Sequence, residues 1–281
     1  MAAPMSGYFA KRRLVAITLL AAAIVAVIWG HRQLAPVLRQ IAYLTGWALL
    51  AVCLFLTLYN ARKKLPFLPL GNSRVWLQLH AYVGYFTFVL FFAHTGWRWP
   101  GGWFEGVLAA LFFAVALSGV VGLLWSRIVP RRLTARGGDV LFERIPIVRR
   151  QLAERAKELA LKSVAATQST AIVDFYNLHL AGFLAHSQNL GRHMMEGRSP
   201  MMKLQARIDD LSRFLNTEQR AVLAEIGTIV RQKDLLDYQH ALQLSLRLWL
   251  FIHIPLTYGL LIFTALHVVL VFAFSSGVNL P

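Results

Sequence analysis

HAYVGYFTFVLFFAH runs from His80 to His94, and HIPLTYGLLIFTALH runs from His253 to His267. Each is an apolar stretch closed at both ends by a histidine, the two histidines fourteen residues apart. On an α-helix this spacing leaves the two imidazoles within ~40° of each other and roughly 21 Å apart along the axis. Each stretch therefore predicts a helix with two imidazoles on one face, separated by most of the ~30 Å hydrocarbon thickness of a bilayer.

The rest of the chain supplies the setting. It has 281 residues, 57% hydrophobic and only 15% charged, where a soluble domain carries about a quarter charged. Twelve of its thirteen acidic residues lie between Asp139 and Asp237, and Glu105 is the other. Apolar runs at Leu14–Trp29, Ile41–Tyr59, Val75–Trp97, Gly106–Trp125 and Leu248–Phe274 predict membrane spans, the first barely long enough and read as an uncleaved anchor after Lys11, Arg12 and Arg13. The intervening segment is too long for a loop and too polar to span. Helix formers dominate Val148–Ala166 and Lys203–Leu215, Ser199-Pro200 is a helix start, and a helix from Thr217 is expected to run into the fifth span. The expected fold is all-α: a membrane bundle of about five spans (1–125 and 248–281) with a helical cytoplasmic domain (126–247).

Charge sets the expected orientation. Lys11, Arg12, Arg13, Arg62, Lys63, Lys64 and Arg74 would lie on one side with the polar insert, against Arg32, Arg39 and Arg98 on the other. Positive charge resists translocation, so the N-terminus is expected in the cytoplasm and the C-terminus outside, in a bacterial inner membrane. The formal charge of +16 is then explained by membrane lipid headgroups and topology, and no nucleic-acid motif accompanies it. Cys53 is the single cysteine, which excludes an internal disulfide, a CxxCH attachment site and a four-cysteine cluster.

With that parity the third and fifth spans are parallel. His80 follows Arg74 by six residues and His253 follows Arg247 by six, so His80 is expected level with His253, and His94 with His267. One imidazole from each of two facing helices is the donor set of a six-coordinate haem iron. Two haem b groups are therefore expected, an inner one on His80 and His253 and an outer one on His94 and His267. Gly84 and Gly259 would admit a porphyrin edge near the backbone, and Arg74, Arg247 and Arg98 would meet propionates. The alternatives are a transition-metal transporter using the same histidines, and a non-haem membrane protein whose insert is a signalling or scaffolding module.

Paired histidines thirteen or fourteen residues apart on two spans, at matched depth, resemble the transmembrane domain of ferric reductases and NADPH oxidases, and more distantly cytochrome b of the bc complexes. The resemblance covers the third and fifth spans alone. It implies axial ligation by His80, His94, His253 and His267 and electron transfer across the membrane; it does not extend to the long insert or to NADPH use. The implied role is a subunit of a redox complex. Its insert would dock a cytoplasmic redox partner, and its outer face would meet an acceptor protein or a quinone.

Other residues yield weaker expectations. His179, His186 and His193 fall at heptad spacing but are interrupted by glycines, and are expected to be solvated or partner-facing; His240 lies just before the fifth span. Trp97, Trp99 and Trp103 read as an interfacial belt, and Ser118, Gly119 and Gly122 as close helix packing. Reporters fused at Asp174 and Pro281 are expected on opposite faces of the membrane. Detection of both on one face would redraw the pairing as His80 with His267.

Overall fold

Leu, Ala, Val and Phe fill the apolar runs, and in a hydrocarbon environment a helix is the local structure that satisfies its own backbone groups. The computed structural model describes residues 5–37, 41–64, 72–136, 140–195, 197 and 199–275, with helices and no strand among them. The long helices are α1 (Met5–Leu34), α2 (Ile41–Lys64), α3 (Ser73–His94), α4 (Trp103–Ala135) and, last in the chain, α10 (Thr217–Ser275). All five contain a stretch long and apolar enough to cross a membrane. The chain divides into two compact units, 1–123 with 251–281, and 124–250.

The first unit holds α1 to α3, most of α4 and the last part of α10. Helix α3 packs on α1 and α2. Its centre is aromatic: Phe91 lies face to face with Phe112 at 4.5 Å, with Phe88 and Phe113 edge-on or tilted around them. Leu260 closes this core from α10. Leu54, Phe251, Ile262 and Val269 point outward, the reverse of a soluble protein's surface and suited to lipid. Helix α3 ends where Gly96 and Trp97 both adopt left-handed backbone (φ 61° and 62°), and the Thr95 N–H still reaches the Phe91 carbonyl. Helix α4 runs past the expected end at Trp125 to Ala135, through Pro130.

The second unit builds a separate core. Helices α5 (Ile145–Thr167), α6 (Ala171–Phe175), α7 (Ala181–Ala185), α8 (Leu190–Met194) and α9 (Ser199–Ser212) accompany the first part of α10. Ala156, Ala160, Ile172, Leu180, Leu184, Leu223, Ile226 and Val230 are buried together. A reciprocal pair of bonds starts α10: the Gln219 N–H donates to Asn216 Oδ1 at 2.8 Å, and the Asn216 N–H to Gln219 Oε1 at 3.2 Å. Between α6 and α7 the backbone makes one π-helical turn, Tyr176–Leu180.

A polar layer is sealed within this unit. Lys233 is 0% and Asp237 1% exposed, and Lys233 Nζ donates to Asp237 Oδ2 at 2.6 Å and to the His186 carbonyl at 2.8 Å. The Gln188 N–H donates to the same carboxylate oxygen. His193 is buried as well, its Nε2 3.6 Å from Asp234 Oδ1. The three heptad-spaced histidines thus take separate places. The helix stops at His186, whose backbone is extended, His179 accepts from Arg207 at 3.0 Å, and His193 turns inward rather than to solvent.

Burial pushes the His193 imidazole below its ordinary range, although the Asp234 and Asp237 carboxylates pull it back. Burial does the same to His240, helped by Arg149. A folded-state value below the unfolded one means that the unfolded chain takes up protons first as pH falls. Stability is therefore full above about pH 6.5 and declines below it. Thermal unfolding in detergent is expected to show this decline between pH 7.5 and 5.5, and His193→Gln to flatten it. Asp237→Ala, which strands Lys233 inside, is expected to cost about 3–5 kcal/mol in a denaturant titration.

Candidate functional site

The four histidines of the two quoted stretches all belong to the first unit, His80 and His94 on α3, His253 and His267 on α10. They associate two by two. His80 and His253 are neighbours, as are His94 and His267. At the second level the two rings stand 6.3 Å apart centre to centre, with their planes at 90°. Fourteen residues of helix, roughly 21 Å, separate the levels, and Phe88, Phe91 and Leu260 of the apolar core lie on the stretches between them.

Three of the four rings have one nitrogen fixed. His94 Nδ1 lies 3.0 Å from the Ala42 carbonyl and His80 Nδ1 lies 3.2 Å from the Leu56 carbonyl, both on α2. A carbonyl accepts only, so each Nδ1 carries the proton and each Nε2 presents a lone pair. Ala42 and Leu56 are themselves fourteen residues apart, and α2 thereby matches the spacing of the α3 histidines in the opposite chain direction. His253 Nδ1 lies 2.6 Å from Ser118 Oγ on α4. His267 is flanked instead by the Phe104 ring, 6.3 Å away and nearly parallel.

The space beside these rings is shaped for them. A cavity of about 330 Å³ opens between α2, α3, α4 and α10, with both His94 and His267 in its wall. Its other walls are mostly apolar, among them Leu50, Phe91, Phe112 and Val271. Gly46 is essential to this fit: a Cβ there would stand 2.9 Å from His94 Cε1 and 3.1 Å from Nδ1. A Cβ on Gly119 would stand 3.7 Å from His253 Cε1, which is ordinary contact.

The remaining expected site residues divide. A methyl on Gly84 or Gly259 would meet nothing within 4 Å, so both leave open space beside the helix. Arg98 is exposed on the turn after α3. Arg247 belongs to the second unit, where it pairs with Glu143 and lies 3.9 Å over the Phe142 ring. The Arg74 side chain lies outside the described residues. His240 Nδ1 lies 3.0 Å from Ser187 Oγ, beside Phe142. In the tryptophan-rich turn, Trp97 stacks on Phe92 at 5.7 Å and Trp99 on Phe113 at 5.8 Å, while Trp103 is 80% exposed.

Ser118, Gly46 and the α2 carbonyls escaped the sequence reading. Ser118-Gly119 stood out only as small residues, and nothing in the residue types tells a packing serine from one bonded to an imidazole. The carbonyls of Ala42 and Leu56 belong to every residue alike. Comparison with known protein families, curated sequences and solved structures gave no match.

Proposed function

We propose that the chain is a dihaem b-type membrane cytochrome that carries electrons across the bilayer as a subunit of a redox complex. The observation that supports this most is the His94–His267 pair: two rings 6.3 Å apart across a largely apolar cavity. Two imidazoles on opposite sides of one metal, each with its nitrogen ~2 Å from it, hold their centres about 6 Å apart. Nδ1–H bonds on His80 and His94 leave Nε2 as the ligating atom, the arrangement in which an outer partner fixes a metal-bound imidazole. Haem iron held this way supplies a reversible one-electron couple at each level.

The chain's own residues do the rest. His80 and His253 would serve one level, His94 and His267 the other. Gly46 makes room for the His94 ring, and Gly84 and Gly259 leave open flanks. Arg98 is free to meet a carboxylate at the His94 end, whereas Arg247 would first have to leave Glu143. The Phe88, Phe91, Phe112 and Phe113 cluster excludes water between the levels, which suits electron passage and opposes passage of a hydrated cation. Among the described residues no three His, Cys, Asp or Glu side chains gather as a metal-ion cluster. The polar unit is assigned to the cytoplasm as the docking platform for a redox partner. The His94–His267 end faces outward, toward an acceptor protein or quinone.

Dithionite-reduced minus oxidised spectra of the purified protein are expected to show sharp b-type bands, with two haems per chain. A protein without such bands after expression with haem supplied would refute the reading. His94→Ala and His267→Ala are each expected to leave one haem. Gly46→Val is expected to leave the same residual haem with all four histidines intact. Loss of the His80–His253 group in these variants would overturn the pairing.

A further inference from the structure

Ser118 carries a bond that nothing in a packing role requires. Its hydroxyl donates to the Val115 carbonyl at 2.8 Å, one turn back on α4. With its hydrogen so placed, the oxygen turns a lone pair to His253 Nδ1 at 2.6 Å. The serine is therefore the acceptor and the imidazole the donor. That polarity gives His253 the same tautomer that the α2 carbonyls give His80 and His94, with Nε2 unprotonated. In an apolar helix bundle no solvent competes for the bond, so the tautomer and ring angle are both held. Pro255 makes this support more important. Lacking an N–H, it cannot bond the carbonyl four residues back in α10, and the backbone ladder around His253 is weakened where the ligand must be steady.

Resting on the dihaem reading, we infer that Ser118 is the positioning residue of His253: by accepting its Nδ1–H it fixes the ligating tautomer and increases the electron donation of that imidazole. The effect is confined to the His80–His253 level, because His267 meets the Phe104 ring at the corresponding place. A ligand made more basic in this way favours the ferric over the ferrous state. The residue touches neither the iron nor any substrate; it acts through the imidazole alone.

The test is a redox titration with electron paramagnetic resonance of the haem-loaded full chain, wild type against Ser118→Ala and Ser118→Thr. In Ser118→Ala one midpoint is expected to rise so that the ferrous-to-ferric ratio at a fixed potential increases about tenfold, about 59 mV for one electron. The low-spin signal of that haem alone should move with it. Ser118→Thr keeps the hydroxyl and is expected to restore both readouts. Unmoved midpoints and signals in Ser118→Ala, with both haems bound, would overturn the inference while leaving the dihaem reading intact. Equal movement of both haems, or failure of threonine to restore them, would also overturn it. If Ser118→Ala does not retain haem, Ser118→Cys, a weaker acceptor of similar size, is expected to give an intermediate midpoint, and a wild-type value there would overturn the inference. Absence of haem from the wild type refutes the earlier reading instead.

Discussion

An imidazole buried among apolar helices has two nitrogens, one a donor and one an acceptor, and neither can be left to water. A partner inside the protein for the donor holds the ring in place, and that choice decides which nitrogen remains an acceptor. In this chain the first choice is made three times by neighbouring helices: twice by carbonyls of α2 and once by the Ser118 hydroxyl of α4. The placement of α2 against α3, the glycine at position 46 and the serine at position 118 are all compatible with this requirement. So is the cavity, because rings held by one edge leave the other edge facing open space.

The two units meet the cost of buried polarity differently. In the first, three of the four imidazoles are paired with a neutral acceptor, and the surroundings are aromatic and aliphatic. In the second, charge is buried against charge in Lys233 and Asp237, and the buried His193 imidazole lies beside Asp234. The first arrangement fixes Nδ1 of three rings as a donor. The second ties Lys233 to Asp237 Oδ2 and the His186 carbonyl and places the His193 and His240 imidazoles where burial lowers their pKa, so the stability of that unit is sensitive to protonation.

Much of this was legible in the residues. Apolar runs marked the five long helices, and the segment 217–275 read as one helix because no glycine or proline cluster breaks it before the span. The fourteen-residue spacing placed two imidazoles on one face, since helix pitch alone determines that. Equal offsets from Arg74 and Arg247 suggested His94 as the partner of His267, and those two rings are neighbours at 6.3 Å. What escaped depended on tertiary packing. No periodicity reveals that Gly46 faces His94, that His193 turns inward, or that Arg247 finds Glu143. Heptad spacing failed for His179, His186 and His193 because it presumes a continuous helix, and the backbone opens at His186.

Chain order gives the α2 carbonyls a further consequence. Both histidines of α3 and both of their acceptors lie within the first 94 residues, whereas His253 follows His94 by 159 residues. At about 5–20 residues per second of synthesis, the first half of the site is oriented for about 8–30 s before its counterpart exists. During that interval α2 protects the two rings from the wrong tautomer while their second nitrogens wait. Any group that needed both helices could enter only after the polar unit had been made.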